Sequence, residues 1–412
     1  MVRFPLRAFT APLLFLVTSG LLTACATHPA PATTPPSLAA TIDASLDQSP
    51  FDRAFWSVLV EDEAGQVIYS RNADKLTIPA SNRKLFSAAA IAACVGLDSR
   101  LETSIWRDGE DLVVVGGADP TLGSARYERT ADFSRVASTL RSRGVTTVRD
   151  VIVDVSLFDR VLIPGGWKHG NIGSGYAAPV DAVAWSENQT ADGRAVADPA
   201  LYAAAALREA LVLAGIPVSG ELRVNTEPRV WDVRIDTLDS PFIVQMLTTV
   251  LKNSQNLYTE MLLKRSGLEP EAGPLTYAMA LERERRFLMT DAGLDPGEFR
   301  FVDGSGLAPD NLVTPAATIR ILRWMNHPAR RGLWWSLLAQ PANEGTLRAR
   351  LVSLEDRMRG KTGTVAGVNA LSGIIAMPRG DFRYFSIAVN HHIGSGADAL
   401  RIIDDVVMQV AR

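Results

Sequence analysis

The chain has 412 residues, of which 47% are apolar, and a formal charge of −3. That length and apolar content suffice for one large domain or two medium ones around a buried core, so disorder is excluded as the default state. With charge near balance and no Lys/Arg-rich run, nothing attracts a polyanion, which argues against nucleic-acid binding.

Arg3 and Arg7 precede an apolar stretch at 11–22 and small residues ending at Cys25, the layout of an export signal. The apolar run is too short to span a membrane comfortably as a permanent helix. Leu22-Thr23-Ala24-Cys25 resembles a bacterial lipobox, in which cleavage precedes a cysteine that then receives lipid; ordinary secretory cleavage nearby shares the charged start and the apolar run. The lipobox reading makes residues 1–24 a signal peptide and Cys25 a lipidated membrane anchor. Ala26, standing where Asp would retain a lipoprotein, then favours the outer membrane, with the protein facing the periplasm. Cys94 is the other cysteine, so no disulfide framework exists, and its Ala-rich surroundings mark it as a buried small hydrophobe. Residues 25–39 are rich in Pro and Thr and read as an extended tether.

Folded structure is expected from about Ala40, with a helix at 42–46 and a β-hairpin pairing 56–60 with 67–69. Pro79-Ala80-Ser81 leads into an Ala-rich helix through 94, which places Ser81 at a helix N-terminus. Residues 101–235 change to short β-like runs, at 112–115, 151–153 and 221–224, separated by Gly and Pro turns; this is read as an inserted domain. Helical patterning resumes over 243–263 and 275–287. Strands follow at 368–376 and 384–389, and an amphipathic helix at 397–411 ends the chain. A hairpin near the start and strands at the end predict one sheet built from both termini. The expectation is therefore an α/β (α+β) protein whose catalytic domain, 40–100 and 236–412, is an antiparallel sheet flanked by helices and interrupted by a smaller α/β domain. No internal repeat is visible.

Ser81-x-x-Lys84 occurs once in the chain and puts a hydroxyl and an amine on one helix face. A serine needs a base within hydrogen-bond reach to become nucleophilic, and a lysine neutralised by burial can serve; alone, the pair reads equally as a helix cap beside a surface lysine. Lys361-Thr362-Gly363-Thr364 precedes a strand-like run. Two of the six lysines, against thirty-six arginines, sit in these two motifs, which suggests that a compact ammonium is needed there. Gly363 would let a substrate backbone approach closely and the threonine hydroxyls can bind a carboxylate; a basic strand end with a turn glycine is the plainer alternative. Ser254-x-Asn256 shares its spacing with Ser70-x-Asn72 and Ser186-x-Asn188, but lies between the other motifs in a helical block where both side chains could face a cleft.

The order Ser-x-x-Lys, Ser-x-Asn, Lys-Thr-Gly is similar to that of penicillin-binding proteins and serine β-lactamases. The fuller runs, at 79–86, 116–122, 303–307, 311–315 and 361–373, resemble the DacB-type, low-molecular-mass class C penicillin-binding proteins over nearly all the chain after the tether. The resemblance implies a D-Ala-D-Ala carboxypeptidase or endopeptidase of peptidoglycan stem peptides, inhibited by β-lactams. It implies Ser81 as nucleophile, Lys84 as general base, Ser254 as proton relay to the leaving amine, and Asn256 orienting Lys84 and the substrate amide. Lys361 and Thr362 would hold the substrate carboxylate, with the N–H groups of Ser81 and Thr364 as oxyanion hole. Two features depart from the family: the separation of Ser81 from Ser254 implies a reduced insert, and Lys168, His169 and Asn171 stand where acidic character helps bind a cationic stem-peptide amine. A serine β-lactamase or esterase, and a non-catalytic peptidoglycan-binding lipoprotein, are the competing functions. Asp119 reads as a turn residue. His391 and His392 lack a third ligand nearby and read as a surface strand end, so neither metal nor cofactor is expected. Trp334 and Trp335 are expected to pack or to sit beside the cleft rim.

Overall fold

The computed structural model describes residues 36–127, 132–267 and 273–412; the expected signal peptide, Cys25 and the tether as far as residue 35 lie outside them. The first helix, α1 (Leu38–Leu46), begins two residues before Ala40, and β1 (Phe55–Asp62) and β2 (Val67–Arg71) form the expected hairpin. A 3-10 turn, Ala80–Asn82, carries Ser81 into α2 (Arg83–Val95). Then follow β3 (Glu102–Asp108), β4 (Asp111–Val115), α3 (Phe133–Ser142), β5 (Val151–Asp154), α4 (Pro199–Leu213), β6 (Leu222–Asn225) and β7 (Val233–Asp239). The chain continues through α5 (Ile243–Lys252), α6 (Asn256–Ser266), α7 (Tyr277–Thr290), the short strands β8 (Phe299–Arg300) and β9 (Leu312–Val313), α8 (Pro315–Met325) and α9 (Arg331–Leu337). It closes with β10 (Met358–Val365), β11 (Val368–Ala376), β12 (Phe382–Asn390) and α10 (Gly396–Val410).

Both termini do build one sheet, in the order β10-β11-β12-β1-β2, antiparallel throughout. Alternation along β1 explains its two-sided burial: Trp56, Val58 and Val60 pack with α1 and α10, while Leu59 turns to the opposite core around α2, α5 and α8. Residues between α2 and α5 form a second sheet, ordered β6-β5-β4-β3-β7, in which β4, β5 and β6 run parallel. Short acceptors start its helices: Asp132 caps α3 and Asp198 caps α4, with Pro199 at the first helical position, where its missing N–H costs nothing.

Several local expectations differ from the structure. The helical block at 243–263 is two helices, broken at 253–255, so the Ser254 motif lies in a break rather than inside a helix. Lys361-Thr362-Gly363-Thr364 lies within β10 rather than ahead of it. The last strand of the second sheet, β7, runs to Asp239 and pairs with Glu102 to Arg107 of β3, so the sheet extends past residue 235. Helices α3 and α4 supply the helical part of the expected smaller α/β domain, and β3 adds a strand beyond the three short runs of the sequence. Leu257 and Met261 of α6 sit in the same core as α3, α4 and the second sheet, and Leu38–Arg412 form one compact unit. Cys94 is only half-buried, at the end of α2. Trp334 packs in the core, and Trp335 lies edge-on to Phe382.

One ion pair ties α2 to α7. Arg83 donates to both carboxylate oxygens of Glu284 at 2.6 and 2.5 Å, with both side chains fully buried, and also to Asp303 O and Ser87 Oγ. Removing one partner strands a buried charge, so Glu284→Ala is expected to lower unfolding free energy by roughly 3–5 kcal/mol in urea titration. A loss below about 1 kcal/mol, the range of exposed pairs, would contradict this reading.

Candidate active site

The 3-10 turn and the first turn of α2 set Ser81 and Lys84 side by side. Lys84 is completely buried, and its Nζ donates to Ser81 Oγ at 3.0 Å, Asn256 Oδ1 at 2.6 Å and Ser305 O at 2.7 Å. Three donors thus meet three acceptors from three different segments. Burial lowers the amine to about 7, with the Arg83 charge acting the same way and the carboxylates of Glu260 and Asp303 opposing. At neutral pH this amine is therefore a competent proton acceptor next to a hydroxyl.

The carboxylates behind it are placed by backbone donors. Asp303 accepts from Gly306 N, Ala308 N, Asn311 Nδ2 and Trp167 Nε1, at 2.7–3.0 Å. Glu260 accepts from the N–H groups of Gly304 and Ser305; burial, then the charge of Asp303, pushes its carboxyl up. The 303–311 loop approaches the Ser81 turn so closely that a Cβ on Gly306, where φ is +81°, would lie 1.9 Å from Ala80 O.

Ser254 adopts φ +63° in the break between α5 and α6, and this left-handed residue turns the chain so that Asn256 starts α6 facing Lys84. Its hydroxyl accepts from Lys361 Nζ at 2.9 Å, and that amine also donates to Thr362 O at 2.8 Å. Lys361 is fully buried with no acid against it among the described residues; burial, then the Lys84 charge, lowers its amine well below the usual range. Strand β10 is the edge of its sheet. Gly360 exchanges both backbone hydrogen bonds with Ala339 on the outer side, so by strand alternation the N–H groups of Thr362 and Thr364 also point to the open edge. Gly363 abuts the Ser81 turn: a Cβ there would lie 2.7 Å from Pro79 O and 3.1 Å from Ser81 N. The structure thus brings Ser81, Lys84, Ser254, Asn256 and the 361–364 strand to one place. Ser70-x-Asn72 and Ser186-x-Asn188 contribute nothing to it.

A cleft of about 790 Å³ opens over these groups. Its walls include Lys168, Asn171 and Tyr176 from the segment before α4, Leu307 and Pro309, the β10–β11 turn, and His391 and His392 after β12. The histidine pair does stand at a strand end near the surface, and it also lines the cleft because β12 lies two places from β10. Tyr176 was not singled out at all, although its backbone carbonyl accepts from Asn256 Nδ2 at 2.7 Å. Asp119 is a buried turn residue whose carboxylate accepts from the N–H and hydroxyl of Thr121.

The model of the D-Ala-D-Ala carboxypeptidase 3 (S13) family matches this chain over two overlapping stretches, 38–193 and 183–412. A D-alanyl-D-alanine carboxypeptidase of Actinomadura sp. (strain R39) is 28% identical, over 90% of this chain and 84% of the relative. A carboxypeptidase of Mycobacterium tuberculosis is 27% identical, over 82% and 76%. Among solved structures, penicillin-binding protein 4 of Haemophilus influenzae superposes with a TM-score of 0.81 at 18% identity, over 91% of this chain and 99% of that one. A predatory peptidoglycan endopeptidase from Bdellovibrio bacteriovorus gives 0.58 at 16% identity, over 87% and 93%. These likenesses show the expected penicillin-binding fold with its separate second sheet.

The contact between Gly363 and the Ser81 turn is tight enough to test. Gly363→Ala must push β10 or the turn aside by a few tenths of an ångström, and is expected to slow modification of Ser81 by a β-lactam roughly 10- to 100-fold. Stopped-flow acylation at the wild-type rate would show that this approach is not needed.

Proposed function

The chain belongs to the D-Ala-D-Ala carboxypeptidase 3 (S13) family, and from that premise we propose how its cleft hydrolyses D-alanyl peptide bonds. The protein is a serine-type hydrolase of the carboxypeptidase/endopeptidase kind. The single observation that carries the assignment of roles is the fully buried Lys84 amine, lowered to about 7 and 3.0 Å from Ser81 Oγ.

Ser81 Oγ attacks the carbonyl carbon of the penultimate D-Ala while its proton passes to Lys84 Nζ. The oxyanion that forms lies at the open edge of β10, where the N–H groups of Ser81 and Thr364 can donate to it. Collapse breaks the peptide bond and leaves an ester on Ser81. The leaving amine takes the proton of Ser254 Oγ, which is replaced by the one Lys84 took from Ser81, so Lys84 is neutral again; the hydrogen bond from Lys361 holds Ser254 for this relay. Asn256, holding Lys84 through Oδ1, keeps the amine pointed at the nucleophile. Lys361, with the threonine hydroxyls of β10, attracts the substrate's terminal carboxylate. Water then attacks the ester with Lys84 again as base. The intact constellation and the family membership argue against the non-catalytic binding protein, and the extent of the family match argues against a β-lactamase.

At the N-terminus, the run from Leu22 to Cys25 supports lipidation of Cys25 and a place in the periplasm, tethered to the outer membrane. Mass spectrometry of the mature N-terminal peptide is expected to show Cys25 as first residue carrying lipid. An unmodified N-terminus at another residue would favour simple secretion.

Benzylpenicillin is expected to leave one covalent adduct, mapped to Ser81 by peptide mass analysis and absent from Ser81→Ala. Because Lys84 is depressed, its neutral, basic form grows as pH rises through about 7, so the acylation rate should rise through that range and level off above it. Lys84→Ala is expected to lose about 10²–10⁴ in that rate. Folded protein that gains no adduct and releases no D-alanine would overturn the catalytic reading in favour of the binding-protein alternative.

A further inference from the structure

His392, which follows β12 at the mouth of the cleft, has a hydrogen-bond arrangement that the reaction above does not use. Its Nδ1 lies 3.0 Å from Gly394 O and its Nε2 lies 2.9 Å from Asn369 Oδ1. Asn369, buried on β11, in turn donates from Nδ2 to Thr364 Oγ1 at 3.1 Å. Thr364 lines the cleft with Ser81. The backbone N–H of His392 donates to Gly367 O, and the ring packs against Phe51, whose ring centroid is 5.3 Å away.

Both ring nitrogens face oxygen, and only an imidazolium donates at both positions. Gly394 O is a fixed acceptor, so a neutral ring keeps its proton on Nδ1 and presents a lone pair at Nε2. That lone pair opposes Asn369 Oδ1 unless the amide turns over. With the amide reversed, Nδ2 donates to Nε2, Oδ1 faces Thr364 Oγ1, and the threonine must donate its own proton to it. With the imidazolium the threonine hydroxyl accepts from Asn369 instead, and its proton is free to point into the cleft. One proton on His392 therefore decides whether the Thr364 hydroxyl is a donor to the cleft or to the protein.

We propose that His392 is a positioning residue that acts through Asn369 on the Thr364 hydroxyl, making the cleft a better receptor for a substrate carboxylate when the imidazole is charged. This rests on the hydrolase reading above. The groups facing the ring are Phe51 from the segment after α1, Asn369 from β11 and Gly394 from its own loop. Among the described residues, the other titratable side chains lining the cleft are His391, adjacent in the chain, and Lys168 and Tyr176.

The test compares two thioester substrates with the same acyl part, one whose leaving thiol carries a carboxylate and one whose thiol does not, across about pH 5.5 to 8.5. Titration of Lys84 affects the acyl-transfer step of both, so the ratio of their kcat/KM values isolates carboxylate recognition. In the wild type that ratio is expected to fall about tenfold as pH rises, through KM of the carboxylate-bearing ester rather than kcat, as the loss of one hydrogen bond to a charged group implies. His392→Gln and Asn369→Ala should each flatten the part of the profile that depends on the relay, with Lys361 intact in both, whereas His391→Asn should keep the wild-type slope. A flat wild-type ratio, or the same slope in His392→Gln and Asn369→Ala as in the wild type, overturns the relay while leaving the hydrolase in place. Failure to turn over either thioester overturns both.

Discussion

A cationic amine taken out of water needs an acceptor for each of its protons, and the arrangement around Lys84 meets that need with atoms from the nucleophile turn, the start of α6 and the loop after β8. None of these segments is near another in sequence. Each is held in turn by a further buried polar group: Glu260 binds the backbone of the 303–305 loop, Asp303 binds the rest of that loop, and Arg83 reaches from α2 to α7. Burial makes the amine less basic than an ordinary lysine, and the carboxylates of Glu260 and Asp303, whose charge opposes this, are engaged by other donors. If either carboxylate bonded Nζ itself, the ammonium would be stabilised and the base lost.

The second sheet belongs to this arrangement rather than to the periphery. Glu187, in the segment between β5 and α4, accepts from Gln255 and Tyr258 on the α6 side and from Ser124 and Arg126 on its own. Leu257 and Met261 bury their side chains in the core beneath that sheet. Trp167 from the same region supplies one of the four donors to Asp303. The inserted residues thus grip both the helix that carries Asn256 and the loop that carries Ser305, and their loops furnish one wall of the cleft.

The parts of this arrangement that were legible in the sequence are local ones. Ser81 and Lys84 share a helix face by spacing alone, and the hairpins at both ends of the chain follow from alternation and turn residues. What was not legible depends on contacts across the chain. The break at Ser254 contains no glycine or proline to announce it; the residue takes a left-handed conformation because Lys361 and the cleft surround it. The placement of Lys361 inside an edge strand, rather than before one, is the exception, since β10 turns straight back onto β11 at Ala366-Gly367 and the hairpin is local in sequence. The caps of α3 and α4, Asp132 and Asp198, were present in a segment dominated by its glycines and prolines. His391 and His392 acquired their meaning only from the sheet order.

An edge strand with free backbone groups is a surface on which any extended chain could build, and most proteins bury, charge or bend such edges. In β10 the edge is shortened instead. Ala339 occupies it at Gly360, and the turn to β11 ends it after Val365, so the outward-facing residues left open are Thr362 and Thr364. Such a gap is as long as a dipeptide. It can read the last two residues of a small extended ligand but is too brief to register a whole strand, so the open edge that admits a substrate stays closed to aggregation with other sheets.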